Sequence, residues 1–231
     1  MWLEDRGPGI DRQASKNSEP RATLCRMAQQ KLIVGISGTN RPDNYTFRAL
    51  DVTLDEIRKA DRDARIEIVD GRQLKLEFPG SPLTADARKL QGLLRDAAGV
   101  VLATPEYHGT FSAFTKLIIE NLGHPSALRD KPVALLGIAA GRIGAIKSVE
   151  HLRSVLAHIG ALVIPGSISV AGIQTAFDRN TGAITDANTE EALRGLARAL
   201  VTFMKDYVCP RYVLESQVRN EATTKPLVMP V

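Results

Sequence analysis

The sequence predicts a doubly wound α/β domain of three layers, with a five-stranded parallel sheet between two layers of helices. Three observations predict it. Short runs rich in Val, Ile and Leu alternate with longer amphipathic stretches of helical period. The first run, Lys31 to Ser37, lacks the in–out alternation of a strand with one wet face, as expected when helices cover both faces. Five such units between residues 31 and 206 are too few for an eight-fold barrel.

The elements follow in order. Lys31 to Ser37 is an apolar run ending in Ser-Gly and reads as the first strand. Tyr45 to Ala60 reads as a helix with Phe47, Leu50, Leu54 and Ile57 on one face. Arg65 to Val69 is the second strand, and Thr84 to Ala97 a helix that turns Leu90, Leu93 and Leu94 inward. Val100 to Thr104 is the third strand, followed by a helix over Ser112 to Leu122. Val133 to Ile138 is the fourth strand and Ala145 to Ile159 the next helix. Ala161 to Ile164 is the fifth strand, and Asn188 to Lys205 closes the fold as a helix. Parallel strands joined through helices require right-handed crossovers.

Composition narrows the class of function. With 44% hydrophobic and 24% charged residues, the chain is neither a disordered nor a fibrous sequence. The longest near-apolar stretch, Pro132 to Gly141, is far too short to span a bilayer, so no membrane partner is expected. A net charge of +4, from 30 basic against 26 acidic residues, gives no basic stripe for nucleic acid but suits an anionic ligand. Cys25 and Cys209 stand far apart with no metal or redox spacing, which points to a reducing, cytoplasmic setting. Residues 1–30 mix Arg, Asp, Ser and Pro without amphipathic period and read as a disordered extension. They lack the apolar core of a signal peptide, and Met27 is an alternative initiator. Residues 31–206 form the domain, and 207–231 are a tail.

In a doubly wound sheet, ligands bind beyond the C-terminal strand ends, near the point where strand order reverses. Three segments qualify. The first, Ser37-Gly-Thr-Asn-Arg-Pro-Asp-Asn-Tyr45, lacks both the dinucleotide glycine fingerprint and the P-loop lysine. It is rich in donors: the hydroxyls of Ser37 and Thr39, the amides of Asn40 and Asn44, the Arg41 guanidinium and the N–H groups that open a helix. Such donors make a phosphate cradle. The same residues also suit a plain capped turn, with Asn44 as N-cap, Pro42-Asp43 as turn and Arg41 in water.

The second segment is Thr104-Pro-Glu-Tyr-His-Gly-Thr110, in which Tyr107 can lay an aromatic face on a planar ligand that main-chain groups recognise. A loop imidazole is the plainer role for His108, against a general acid beside that ligand. Glu106 suits a structural role better than acid catalysis. The third segment, Ala139-Ala-Gly-Arg-Ile-Gly144, either curves along a ring edge and presents Arg142 to a second phosphate, or only turns the chain at Gly141 and Gly144. His151 and His158, one heptad apart, read as a packed or solvated face, and no metal-ligand spacing occurs.

These residues resemble the NADPH-dependent FMN reductase family of flavodoxin-like proteins, which includes chromate, quinone and azo-dye reductases. The family's phosphate loop, Gly-Ser-x-Arg-x-x-Ser, is matched by Gly38, Thr39, Arg41 and Asn44, with Thr and Asn in place of the serines. Its second signature, Thr-Pro-Glu-Tyr-Asn-Gly, is matched by Thr104 to Gly109 with His108 in place of Asn. Lys131-Pro-Val-Ala-Leu-Leu, the Gly-Arg-x-Gly that follows and Phe177-Asp-Arg-Asn-Thr-Gly are further similarities, over roughly Lys31 to Met204.

The resemblance implies a flavodoxin-like strand order, 2-1-3-4-5, and FMN held without a covalent bond. It places the phosphate at Ser37, Thr39, Asn40, Arg41, Asn44 and Tyr45, and the ring along Pro105, Glu106, Tyr107, His108, Gly109, Gly141 and Arg142. It also implies NADPH or NADH as donor, a small-molecule electron acceptor, and assembly as a homodimer or homotetramer, with the contact expected at Gly123 to Ala127. No protein nucleophile is expected, because the flavin carries the hydride chemistry. Two rivals remain: a non-catalytic FMN- or phosphate-binding redox sensor, and a phosphate-ester hydrolase, for which no nucleophile stands in the first loop.

Overall fold

The computed structural model of the protein describes residues 31–208 together with 214, 215 and 218. The expectations for residues 1–30 and for nearly all of the 207–231 tail lie outside these. The parallel sheet contains β1 (Leu32–Ser37), β2 (Arg65–Asp70), β3 (Gly99–Tyr107), β5 (Pro132–Ile138), β6 (Leu162–Val163) and β7 (Ile168–Val170). A short β4 (Thr110–Phe111) folds back antiparallel on β3. The helices are α1 (Tyr45–Ala60), α2 (Ala85–Asp96), α3 (Ala113–Glu120), α4 (Ile146–His158) and α5 (Ala187–Phe203), the last running on into a π-turn over Met204–Val208.

The strand order is β2-β1-β3-β5-β6, with β7 also paired to β5. In units of the five predicted strands this is 2-1-3-4-5, as expected. The order reverses at β1, so the crevice between the ends of β1 and β3 is where a ligand belongs.

The pleat of the sheet divides the core in two. On β1, Ile33 faces one side with Leu50, Leu54 and Ile57 of α1 and Leu193, Leu196 and Leu200 of α5. Leu32, Val34 and Ile36 face the other, with Leu90 and Leu94 of α2, Ile118 of α3 and Leu152 and Leu156 of α4. Every residue of β1 is buried, which explains its unbroken apolar run. Each such leucine removed from water contributes about 1.5–3 kcal/mol, so two apolar faces per strand hold the three layers together.

Two strand expectations need correction. The fifth strand is broken: β6 ends at Val163, and the chain rejoins β5 only at Ile168. Pro165, which has no N–H, and Gly166, at φ 78°, interrupt the ladder. Arg153 ties the interruption down through Ile164 O at 3.4 Å and Ser167 Oγ at 2.5 Å. The second correction concerns Thr104 to Gly109, expected as an exit loop. Here β3 continues to Tyr107, and Glu106 and Tyr107 pair with Phe111 and Thr110. The seven strands therefore make a five-position parallel sheet with a two-residue antiparallel flap at its working edge.

Candidate functional site

The first segment leaves β1 at Ser37 and enters α1 at Tyr45. Gly38 N–H continues the sheet by donating to Ala103 O at 2.7 Å. A Cβ on Gly38 would stand 2.1 Å from Thr115 Oγ1, so only glycine fits between the strand end and α3. The turn then closes on itself. Thr39 Oγ1 accepts from Arg41 N–H at 3.3 Å, and Asp43 takes a left-handed φ of 46°. Asn44 is engaged at both ends of its amide: Oδ1 accepts from Phe47 N–H at 2.7 Å, and Nδ2 donates to Arg41 O at 2.7 Å. Its N-cap role is thus the one the structure displays.

The turn leaves donors unused. Ser37 is fully buried, and its Oγ has no partner. Among the described residues, the backbone N–H groups of Thr39 and Asn40 meet no acceptor. They precede the N-terminus of a 16-residue helix, where the dipole favours negative charge. Orphaned amides, a buried free hydroxyl and an exposed guanidinium are the donor set a phosphate monoester requires, so the residues present fit that group.

The second segment stands across the crevice. Arg41 Nη1 lies 3.5 Å from Tyr107 Oη, and its guanidinium lies 5.9 Å from the centre of the Tyr107 ring. At the hairpin tip His108 has φ 51° and Gly109 φ 77°. Both central residues of this two-residue turn are left-handed, the type I′ geometry. Pairing with β4 uses main-chain groups of Tyr107 that the sequence suggested were free for a ring. What faces outward is the half-buried Tyr107 and the exposed imidazole of His108.

Glu106 points elsewhere. Its Oε2 accepts from Ser148 N–H at 3.2 Å in the first turn of α4, whose cap position, Ala145, offers no hydrogen-bonding side chain. The carboxylate replaces the missing cap and ties the second segment to the third. In the third segment Gly141 O accepts from Gly144 N at 3.3 Å and from Gly172 N at 3.2 Å, and Gln174 Nε2 donates to Ala140 O at 3.1 Å. Arg142 and Ile143 project at its exposed tip. Among the described residues, Arg142 meets neither of the other segments.

Tyr45 turns its ring to Phe177, 5.9 Å away, and carries the Arg48 guanidinium at 5.3 Å. Its half-buried side chain thus packs against Phe177 and Arg48. Arg72, beside the first segment, is neutralised by Asp70, which accepts from Nε at 2.9 Å and from Nη2 at 2.5 Å. Burial pushes the Asp70 carboxyl up, but the hydrogen bonds from Arg72 outweigh it and hold the group below the usual carboxylate range. A pair so matched offers little charge to a ligand.

Sequence reasoning missed the floor of the site. Ser112, Thr115 and Thr104 are buried under Gly38, and Ser112 and Thr115 both donate to its carbonyl. No local spacing announces residues 74 and 77 positions away.

A family model described as NADPH-dependent FMN reductase matches residues 32–176. The NADH:(hydroxy)cinnamate reductase subunit CrdA of Vibrio ruber is 32% identical over 146 residues, covering 61% of this chain and 72% of that protein. The NADH-dependent flavin reductase subunit 2 of Lactobacillus johnsonii is 30% identical over 171 residues, covering 70% of this chain and 90% of that one. Among solved structures, a flavoenzyme NAD(P)H:(acceptor) oxidoreductase from Paracoccus denitrificans superposes with a TM-score of 0.62 at 22% identity. That match covers 77% of this chain and 98% of the other, and it speaks to the fold.

Proposed function

Because the chain belongs to the NADPH-dependent FMN reductase family, we propose that its first segment holds the FMN phosphate and that Tyr107 flanks the ring. The protein is an FMN-dependent NAD(P)H oxidoreductase that serves a small-molecule acceptor. Bound FMN supplies the redox chemistry, taking hydride equivalents from the nicotinamide and passing electrons to the acceptor. The chain binds and orients. Thr39 and Asn40 offer main-chain N–H groups to the phosphate, with Arg41 as the counter-charge. Tyr107 and the His108-Gly109 tip form one wall, while Gly141 and Arg142 border the crevice on the far side. The acceptor class we infer is a quinone, free flavin, azo compound or metal oxyanion, because an open ring face asks little of its second substrate.

The observation that carries this reading is the pair of acceptor-less amides beside Arg41 at the point where strand order reverses. Purified protein is expected to copurify with flavin or bind added FMN, and to bleach when NADPH or NADH is added without oxygen.

We further infer a homodimer or homotetramer. The family resemblance supports this, with the contact at the Gly123–Ala127 loop, of which Gly123, His124 and Pro125 are exposed. Light scattering of the purified protein tests this. Among the described residues no helix is long and apolar enough to cross a membrane. We infer a cytoplasmic setting, which the near absence of cysteine supports.

A further inference from the structure

The buried hydroxyls beneath Gly38 have a geometric consequence for the site above. Ser112 Oγ donates to Gly38 O at 2.5 Å and Thr115 Oγ1 donates to the same oxygen at 3.0 Å. Thr115 Oγ1 also lies 2.8 Å from Thr104 Oγ1 and 2.9 Å from Ser112 Oγ, while Ser112 N–H donates to Thr104 Oγ1 at 3.3 Å. None of the three side chains is more than 3% exposed. Ser112 is itself held, because its oxygen caps α3 through Thr115 N–H at 3.0 Å.

In a trans peptide the C=O and the following N–H point in opposite directions. A Gly38 carbonyl drawn down into the hydroxyl cluster therefore turns the Thr39 N–H up into the mouth of the first segment. That N–H is among the amides of the first segment that meet no acceptor among the described residues. Ser112 donates to the carbonyl, and the single Thr115 proton is shared between it and Thr104 Oγ1, so a flipped peptide would cost the buried Gly38 oxygen its donors and set an N–H against the hydroxyls instead.

We propose that Thr115, with Ser112 and Thr104, is a positioning residue for phosphate recognition, locking the Gly38–Thr39 peptide so that its N–H faces the FMN phosphate. The inference rests on the reading above that the phosphate sits in the first segment. It adds that α3, packed beneath the turn, sets the affinity for that group.

The test compares FMN with riboflavin, which has the same ring and lacks the phosphate, by fluorescence-quench titration of flavin-free protein. Wild type is expected to hold FMN far more tightly. Thr115→Val, which keeps shape and removes the hydroxyl, is expected to weaken FMN by about tenfold while leaving riboflavin unchanged. Thr115→Ser is expected to restore most of the loss. If Thr115→Val does not fold, Thr104→Val carries the same comparison with a smaller expected loss.

Equal weakening of both flavins would make the cluster merely structural and overturn the proposal, as would an unchanged FMN affinity. A wild type that binds riboflavin as tightly as FMN would instead remove the phosphate from the first segment. It would overturn the functional reading and this proposal together, before any variant is measured.

Discussion

Arg41 and Tyr107, 66 positions apart, meet across the crevice, the guanidinium 5.9 Å from the ring centre and its Nη1 3.5 Å from the phenol oxygen. Among the described residues, neither side chain makes another hydrogen bond, although the Arg41 main chain is held by Thr39 and Asn44. The contact joins the first segment to the β3–β4 hairpin, so in the proposed reading the cation that would neutralise the phosphate also braces the wall beside it.

Arg41→Ala is therefore expected to weaken FMN by more than ten-fold, since a charge-assisted hydrogen bond contributes about 1.5–3 kcal/mol. Tyr107→Phe, which keeps the ring, is expected to cost much less. Titrating flavin-free protein with FMN measures both.

His108 occupies a left-handed position that Asn or Gly fills with less strain. His108→Asn is expected to raise stability by up to about 1 kcal/mol, or a Tm gain of up to about 4 °C in a domain of this size. The pH profile of turnover should superpose on that of wild type, because in the proposed reading the flavin carries the chemistry and His108 is a turn residue. A profile that loses a limb in the variant would make His108 a general acid.

Glu106 caps α4 from another strand. Glu106→Ala is expected to lower stability by about 1 kcal/mol, while Glu106→Gln, which keeps an acceptor, recovers part of it. Thermal unfolding of the two variants, both flavin-free, checks the order.

Lys131 sits at the opposite end of the sheet, 7% exposed, and donates to Arg95 O and Ala97 O at 2.7 Å each. Burial pushes its amine down to about 8 from 10.5, against the opposing pull of Asp96 and Asp130. Between those pH values the unfolded chain binds more protons at this site than the folded one, so stability rises with pH through that window. The charged amine thus costs stability below pH 8, and the cost disappears by about pH 10.5. The shift corresponds to roughly 3 kcal/mol. Urea unfolding of wild type and Lys131→Met should show the difference between them moving in favour of wild type by about that amount over the window.

The layers were legible because helices and buried strands write their periods into the sequence. The bounds of α1 match residue for residue, its start marked by Asn44 and its end by the loss of the Leu50, Leu54 and Ile57 stripe. The β3–β4 hairpin was not legible. Pro105 argues against a strand, and an Asn-Gly pair would have announced the type I′ turn that His108-Gly109 makes without it. The resumption of the fifth strand at Ile168 was hidden in the same way, since Pro165-Gly166 reads as a strand's end. In the site, the phosphate-side donors are local and could be named from their order. The hydroxyl floor depends on α3 packing beneath a turn far away in sequence, and the Glu106 cap on a helix 42 positions on.

The central claim is that a flavin phosphate sits over the Thr39 and Asn40 amides with its ring open to nicotinamide. The most direct measurement is the visible spectrum of purified protein loaded with one equivalent of FMN, followed by titration with NADPH or NADH in the absence of oxygen. Flavin is expected to be retained through gel filtration, bleached by about one equivalent of a reduced nicotinamide and restored to yellow by a quinone. Protein that emerges colourless, or that keeps FMN yet leaves it yellow with both nicotinamides, would contradict that claim.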